Sequence, residues 1–147
     1  MSIEYTTARA MDYLTRVLCL PARGDEQDWE IELADAGRLD EFLDRYFDFA
    51  GDDEYAFAMA ALIIASFDNL VALRLNSFDK EYFELFQDAG HDIREIYSAE
   101  ELRLWRRISL ILKTRPDLFA NHIRYWAQME EEHSGFACSL LFRNQTL

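Results

Sequence analysis

A chain of 147 residues, half of them apolar and 14% aromatic, has material for one domain with one core and too much of it for a disordered chain. Its net charge of −13 excludes a protein that grips nucleic acid or an anionic membrane through a basic face, because both need the opposite sign. Five glycines and two prolines are too few turn residues for a sheet built of tight hairpins. The expected class is all-α: a single-domain bundle of about six or seven helices over residues 1–147.

The opening "MSIEYTTARAMDYLTRVLCLPA" has an acid at Glu4, arginines at Arg9 and Arg16 and no long apolar run, unlike a secretory leader. Ala10, Met11, Leu14, Val17 and Leu18 recur at helical spacing and predict a helix from about Thr7 to Leu20, stopped by Pro21. "DWEIELAD" reads two ways. Trp29, Ile31 and Leu33 alternate as in a strand, whereas Trp29, Leu33 and Ala36 share a helix face that Asp25 would cap. Glutamate is a poor strand former, which tips the segment towards helix.

Leu39, Phe42, Leu43, Tyr46, Phe47 and Ala50 fall on one apolar stripe, ended by Gly51. The helix expected from about Asp53 to Leu75 is apolar on nearly all sides, as the central and most buried helix of a bundle would be. Its uninterrupted run, Ala56 to Phe67, is too short to span a bilayer. Ser77 would cap "FDKEYFELFQDAG", with Tyr82, Phe83, Leu85 and Phe86 as its core and Gly90 as its stop. Ser98 and Glu101 make a capping box for a helix with Leu102, Trp105, Ile108, Ser109 and Leu112 on one face. Pro116 suits the first position of a further helix, with Phe119, Ile123 and Trp126 facing inward, and the tail "GFACSLLFRNQTL" is apolar enough to dock. Cys19 and Cys138 sit among apolar neighbours and are expected as buried free thiols, as in a cytoplasmic protein.

Charge is unevenly spread. Asp25 to Glu54 hold thirteen carboxylates and two arginines. Asp40, Asp44 and Asp48 stand four residues apart, opposite the apolar stripe, a row at steps of about 6 Å. Like charges so spaced destabilise a helix. In the sequence only Arg45 is near enough to relieve them, so lysines in their place are expected to stabilise slightly. One reading is a solvated, solubilising face. Another is a surface for a basic partner, formed by Asp28, Glu30, Glu32, Asp35, Asp40, Glu41, Asp44, Asp48, Asp52, Asp53 and Glu54. A protein that itself binds nucleic acid presents lysines and arginines, and carboxylates laid over them would block its site and speed association. Internal pairing of Arg103, Arg106 and Arg107 with the acidic segment would weaken that reading.

Catalytic patterns are missing: no G-x-S-x-G, glycine-rich phosphate loop, C-x-x-C or H-x-x-x-H occurs. Asp88 with His91 and Glu130 with His133 have the acid-x-x-His spacing of di-metal ferritin-like bundles, with Glu84 and Glu95 as further ligands. Gly90 interrupts the first pair, Gly135 closely follows the second, and 28 acids produce such pairs by chance. No catalytic residue, metal or cofactor is expected. Trp29, Trp105 and Trp126 are expected in the core and His122 at its edge.

"RLDEFLDRYFD", "EYAFAMAALIIASFDN" and "RPDLFANHIRYW" resemble the small acidic immunity proteins of bacterial toxin systems. The resemblance is one of type over most of the chain, without a diagnostic motif. It implies a non-enzymatic, cytoplasmic bacterial protein whose partner is a cognate protein toxin with a basic active-site face. A nuclease or nucleic-acid deaminase comes first, an ADP-ribosylating or nucleotide-consuming toxin second. It implies no direct contact with nucleic acid or membrane. Acidic inhibitors that mimic DNA, some of them phage-encoded, share these features. A di-metal helical enzyme and a helical adaptor or structural protein are the readings from other classes.

Overall fold

The computed structural model of the protein describes residues 6–26, 28–74, 98–118 and 122. The described residues form an all-α fold with no strand. In chain order they build α1 (Ala8–Val17), α2 (Trp29–Glu32), a 3-10 turn (Ala36–Arg38), α3 (Leu39–Phe49), α4 (Asp53–Arg74) and α5 (Ala99–Thr114).

The Thr7 hydroxyl accepts from the Ala10 backbone N–H and starts α1. The helix ends before Pro21, in a Schellman turn: Leu20 N–H donates to Thr15 C=O at 2.9 Å and Cys19 N–H to Arg16 C=O at 3.4 Å. That turn places Cys19 in the left-handed region, φ 52°, with its free thiol exposed rather than buried. Leu18 and Leu20 on either side point inward. Cys138 lies outside the described residues.

"DWEIELAD" is the single-turn helix α2, beginning after Asp28 rather than Asp25. Its anchor is Trp29, buried, with Nε1 donating to Thr15 Oγ1 at 3.0 Å. In α3 the buried side chains are Leu39, Phe42, Leu43, Tyr46 and Phe49. Phe47, expected on that stripe, is instead 65% exposed. It lies one residue, about 100°, round from Tyr46, the middle of the buried arc.

α4 is the centre of the fold and touches α1, α2, the 3-10 turn, α3 and α5. Neighbours on every side bury Ala56 through Phe67 without a break. Buried Ser66 stays satisfied because its Oγ accepts from the Asp35 backbone N–H at 3.0 Å. With flanking residues included, Asp53–Val71 is long and apolar enough to cross a membrane, but 72% of that window is buried inside the fold, the place of a core helix.

The capping box opening α5 is formed: Ser98 Oγ accepts from Glu101 N–H at 3.1 Å and Glu101 Oε1 from Ser98 N–H at 2.9 Å. Ser98→Ala should therefore cost about 1 kcal/mol, read as a lower urea midpoint with unchanged slope. The face α5 turns to α4 is Leu104, Trp105, Ile108, Ile111 and Leu112, with Leu102 and Ser109 at its half-buried margin. Helical backbone resumes at Pro116 and buries Leu118. The expected helix after Ser77, its stop at Gly90, the end of α4 at Leu75, the side chains of Phe119, Ile123 and Trp126, and the docked tail lie outside the described residues.

Candidate interaction surface

The acidic segment runs through the loop before α2, α2 itself, the 3-10 turn, α3 and the start of α4, and its two halves have different surroundings. On α3, Arg103 of α5 donates to Asp40 at 3.0 Å, and Arg107 donates to Asp40 at 2.7 Å and to Asp44 at 2.5 Å. These hydrogen bonds, Arg103's foremost, hold the Asp40 carboxyl below the usual aspartate range. Arg38 donates to Glu41 at 2.6 Å, lowering that carboxyl too, and to the Leu18 carbonyl at 2.7 Å, which ties the start of α3 to the end of α1. Arg45 donates to Asp48 at 2.9 Å.

At the start of α4, Arg9 of α1 donates to Asp52 at 2.9 Å and to Glu54, and its guanidinium lies 4.4 Å over the Tyr55 ring. The Arg9 bond is the main cause of the lowered Asp52 carboxyl, which also accepts the Glu54 and Tyr55 N–H groups and so caps α4. Arg115 donates to Asp53 at 3.1 Å and to Asp117 at 3.1 Å.

Seven of the eleven predicted contact residues are thus ion-paired, and four of the six arginines come from outside the acidic segment. Arg45 is not the only relief for the α3 row. Lysines at Asp40, Asp44 and Asp48 would set two new cations against Arg103 and Arg107, so the triple variant should be less stable than the wild type, not more. Its urea midpoint should fall most at low salt.

Asp28, Glu30, Glu32 and Asp35 form no ion pair among the described residues, nor does neighbouring Asp25. Asp25, Asp28, Glu32 and Asp35 are exposed; Glu30 is half-buried, and its burial, with Asp28 beside it, pushes its carboxyl up. Their bonds are to backbone. Glu32 accepts from Asp28 N–H at 3.1 Å and Asp35 from Gly37 N–H at 2.9 Å. Glu26 accepts from the N–H groups of Arg23 and Gly24, which lowers its carboxyl. The bend behind that contact holds Gly24 at φ +96°, a conformation that favours glycine.

Beside this segment, α1, the loop after it and Trp29 of α2 line a half-open pocket of about 330 Å³, with Met11 and Trp29 on its apolar side and Asp12, Arg16, Arg23 and Glu26 around it. Among the described residues no three metal-ligating side chains gather; Asp88, His91, Glu130, His133, Glu84 and Glu95 lie outside them. Trp29 and Trp105 are core residues. His122 is inside the core rather than at its edge, its ring stacked on Phe57 at 4.1 Å and its Nε2 3.2 Å from the Phe57 carbonyl oxygen. Sequence reasoning missed Arg9 and Arg115 as partners of the acidic segment. They stand 43 and 62 residues from Asp52 and Asp53, and no local spacing signals such a pair. Comparison with protein-family models, with curated proteins and with solved structures gives no match.

Proposed function

We propose that the protein works by binding: a non-catalytic inhibitor of the immunity type, which neutralises a basic, cytoplasm-acting bacterial toxin. Its contact surface is the acidic stretch Asp25–Asp35. One observation supports this choice above the rest. Asp25, Asp28, Glu32 and Asp35 are exposed without an ion pair among the described residues, while the carboxylates of α3 and of the start of α4 are met by arginines. Uncompensated charge projects a field that speeds encounter with a cation-rich surface; compensated charge projects little. A nuclease or nucleic-acid deaminase is the first class of target, since its active site must present cations to phosphate. Toxins that consume nucleotides or transfer ADP-ribose come second.

The test pairs the protein with the product of the adjacent gene, first as rescue of growth on co-expression and then as association kinetics in vitro. Asp25, Asp28 and Glu32 changed together to lysine should slow association, and added salt should slow the wild type. Lysines at Asp40, Asp44 and Asp48 should slow it less. An unchanged association rate for the Asp25/Asp28/Glu32 variant, with the fold intact by circular dichroism, would make this stretch a solubilising face.

A further inference from the structure

The half-open pocket beside the acidic stretch is lined by four charged side chains. Asp12 and Arg16 stand on α1 about one turn apart, and Arg23 and Glu26 come from the loop after it. None of the four forms an ion pair among the described residues, although six other arginines there do. Two acids and two arginines cancel, so the pocket offers both signs and no net charge. Its walls are set by the fold. Trp29 is buried and tied through Nε1 to Thr15 Oγ1 at 3.0 Å. The Arg16 guanidinium lies 5.6 Å over the Tyr13 ring. The Glu26 carboxylate is held by the N–H groups of Arg23 and Gly24, which use two of its roughly four lone-pair sites and leave the others open. Met11, Ala22 and Trp29 supply the apolar wall.

We infer that this pocket binds a small zwitterion with an apolar body, of the class of free α-amino acids with large apolar side chains. The ligand carboxylate goes to Arg16 and Arg23, which only donate, and its ammonium to Asp12 and Glu26, which only accept. The side chain lies against Met11 and Trp29. A volume of about 330 Å³ falls near the lower end of small-molecule sites, roughly 300–1,000 Å³. It suits a single compact molecule better than a helix or strand of a partner. A plain anion fits less well. It would leave Asp12 and Glu26 unanswered, and it would approach a chain of net charge −13 against its field. A plain cation would leave both arginines unanswered. A zwitterion answers all four groups and carries no net charge. The inference does not rest on the toxin reading, because no protein partner enters it.

Nuclear magnetic resonance titration of the isotope-labelled full chain with L-leucine, L-phenylalanine and L-tryptophan tests this, with the Trp29 indole N–H as a reporter on the pocket wall. At least one amino acid should shift that signal with a dissociation constant below about 1 mM. Its amide, which lacks the carboxylate, and its N-acetyl form, which lacks the ammonium, should each bind roughly tenfold more weakly or worse. Arg16→Gln with Arg23→Gln should weaken the amino acid by a similar factor and leave the amide nearly unchanged. Asp12→Asn should weaken the amino acid and leave the N-acetyl form nearly unchanged. These three positions are exposed, so circular dichroism and urea midpoint should stay as in the wild type. No shift with any of the three amino acids at millimolar concentration overturns the inference. So does an N-acetyl form that binds as well as the amino acid, which would make the pocket a plain anion site. Binding indifferent to both the arginine and the Asp12 substitutions overturns it as well. None of these outcomes touches the acidic contact surface, since no toxin is present.

Discussion

Phe67→Ala should lower the free energy of unfolding by about 3–5 kcal/mol, a large part of the roughly 5–15 kcal/mol that holds a domain together. Phe67 is fully buried on α4, its ring 5.5 Å from that of Trp105 on α5. Truncation removes the transfer free energy of the ring and leaves a cavity between two helices that are each held by other contacts, so collapse is only partial. The urea midpoint should drop with an unchanged slope. Phe47→Ala is the control: the same chemistry on an exposed site should stay within about 0.5 kcal/mol. Similar losses for the two would mean that α5 does not pack on α4 as described.

Acid should weaken the fold through His122 before it weakens the carboxylates. Burial pushes His122 from its ordinary value of 6.5 down to about 4, so the folded protein keeps the ring neutral. The unfolded chain takes up its proton near 6.5. Between those values the unfolded state binds more protons, so stability falls as pH falls. The contribution is complete above about pH 6.5 and gone below about pH 4, a loss of about 3 kcal/mol. The lowered carboxylates Asp40, Glu41 and Asp52 lose their own contributions from about pH 4.5 down; among the described residues the window between about 6.5 and 4.5 belongs to His122, opposed by Glu30, whose raised carboxyl acts in the other sense. Urea midpoints across that window should slope downward for the wild type and be nearly flat for His122→Leu, whatever that variant's absolute stability. An equal slope in both would place the titrating group elsewhere.

Local signals were legible. The Ser98/Glu101 box needs only four consecutive residues, and it starts α5 where they stand. The α3 stripe was right in Leu39, Phe42, Leu43 and Tyr46, since the helix period alone selects them. Its outer limits were not: Phe47 and Phe49 flank the buried arc on opposite sides, and only the position of α4 decides that Phe49 goes in. Cys19 was misread for a related reason. Its apolar neighbours announce burial, but the turn that ends α1 sends Leu18 and Leu20 inward and the residue between them out. The acidic segment was legible as a charge count and not as a charge field. Local spacing puts only Arg45 near Asp40 and Asp44; the internal pairing that the sequence left open is made by Arg103 and Arg107, more than sixty residues on, and among the described residues not by Arg106.

Every ion pair among the described residues takes its cation from arginine; Lys113 stands apart on α5. A lysine ammonium releases its proton near pH 10.4, while a guanidinium keeps its own to above about 12. The ion pairs that join α1, α3, α4 and α5 among the described residues therefore outlast the titration of lysine. They fail in one direction only, when carboxylates are neutralised. Among the described residues the ion-pair network is therefore indifferent to base and sensitive to acid, so the helix contacts it fixes hold from neutrality upward.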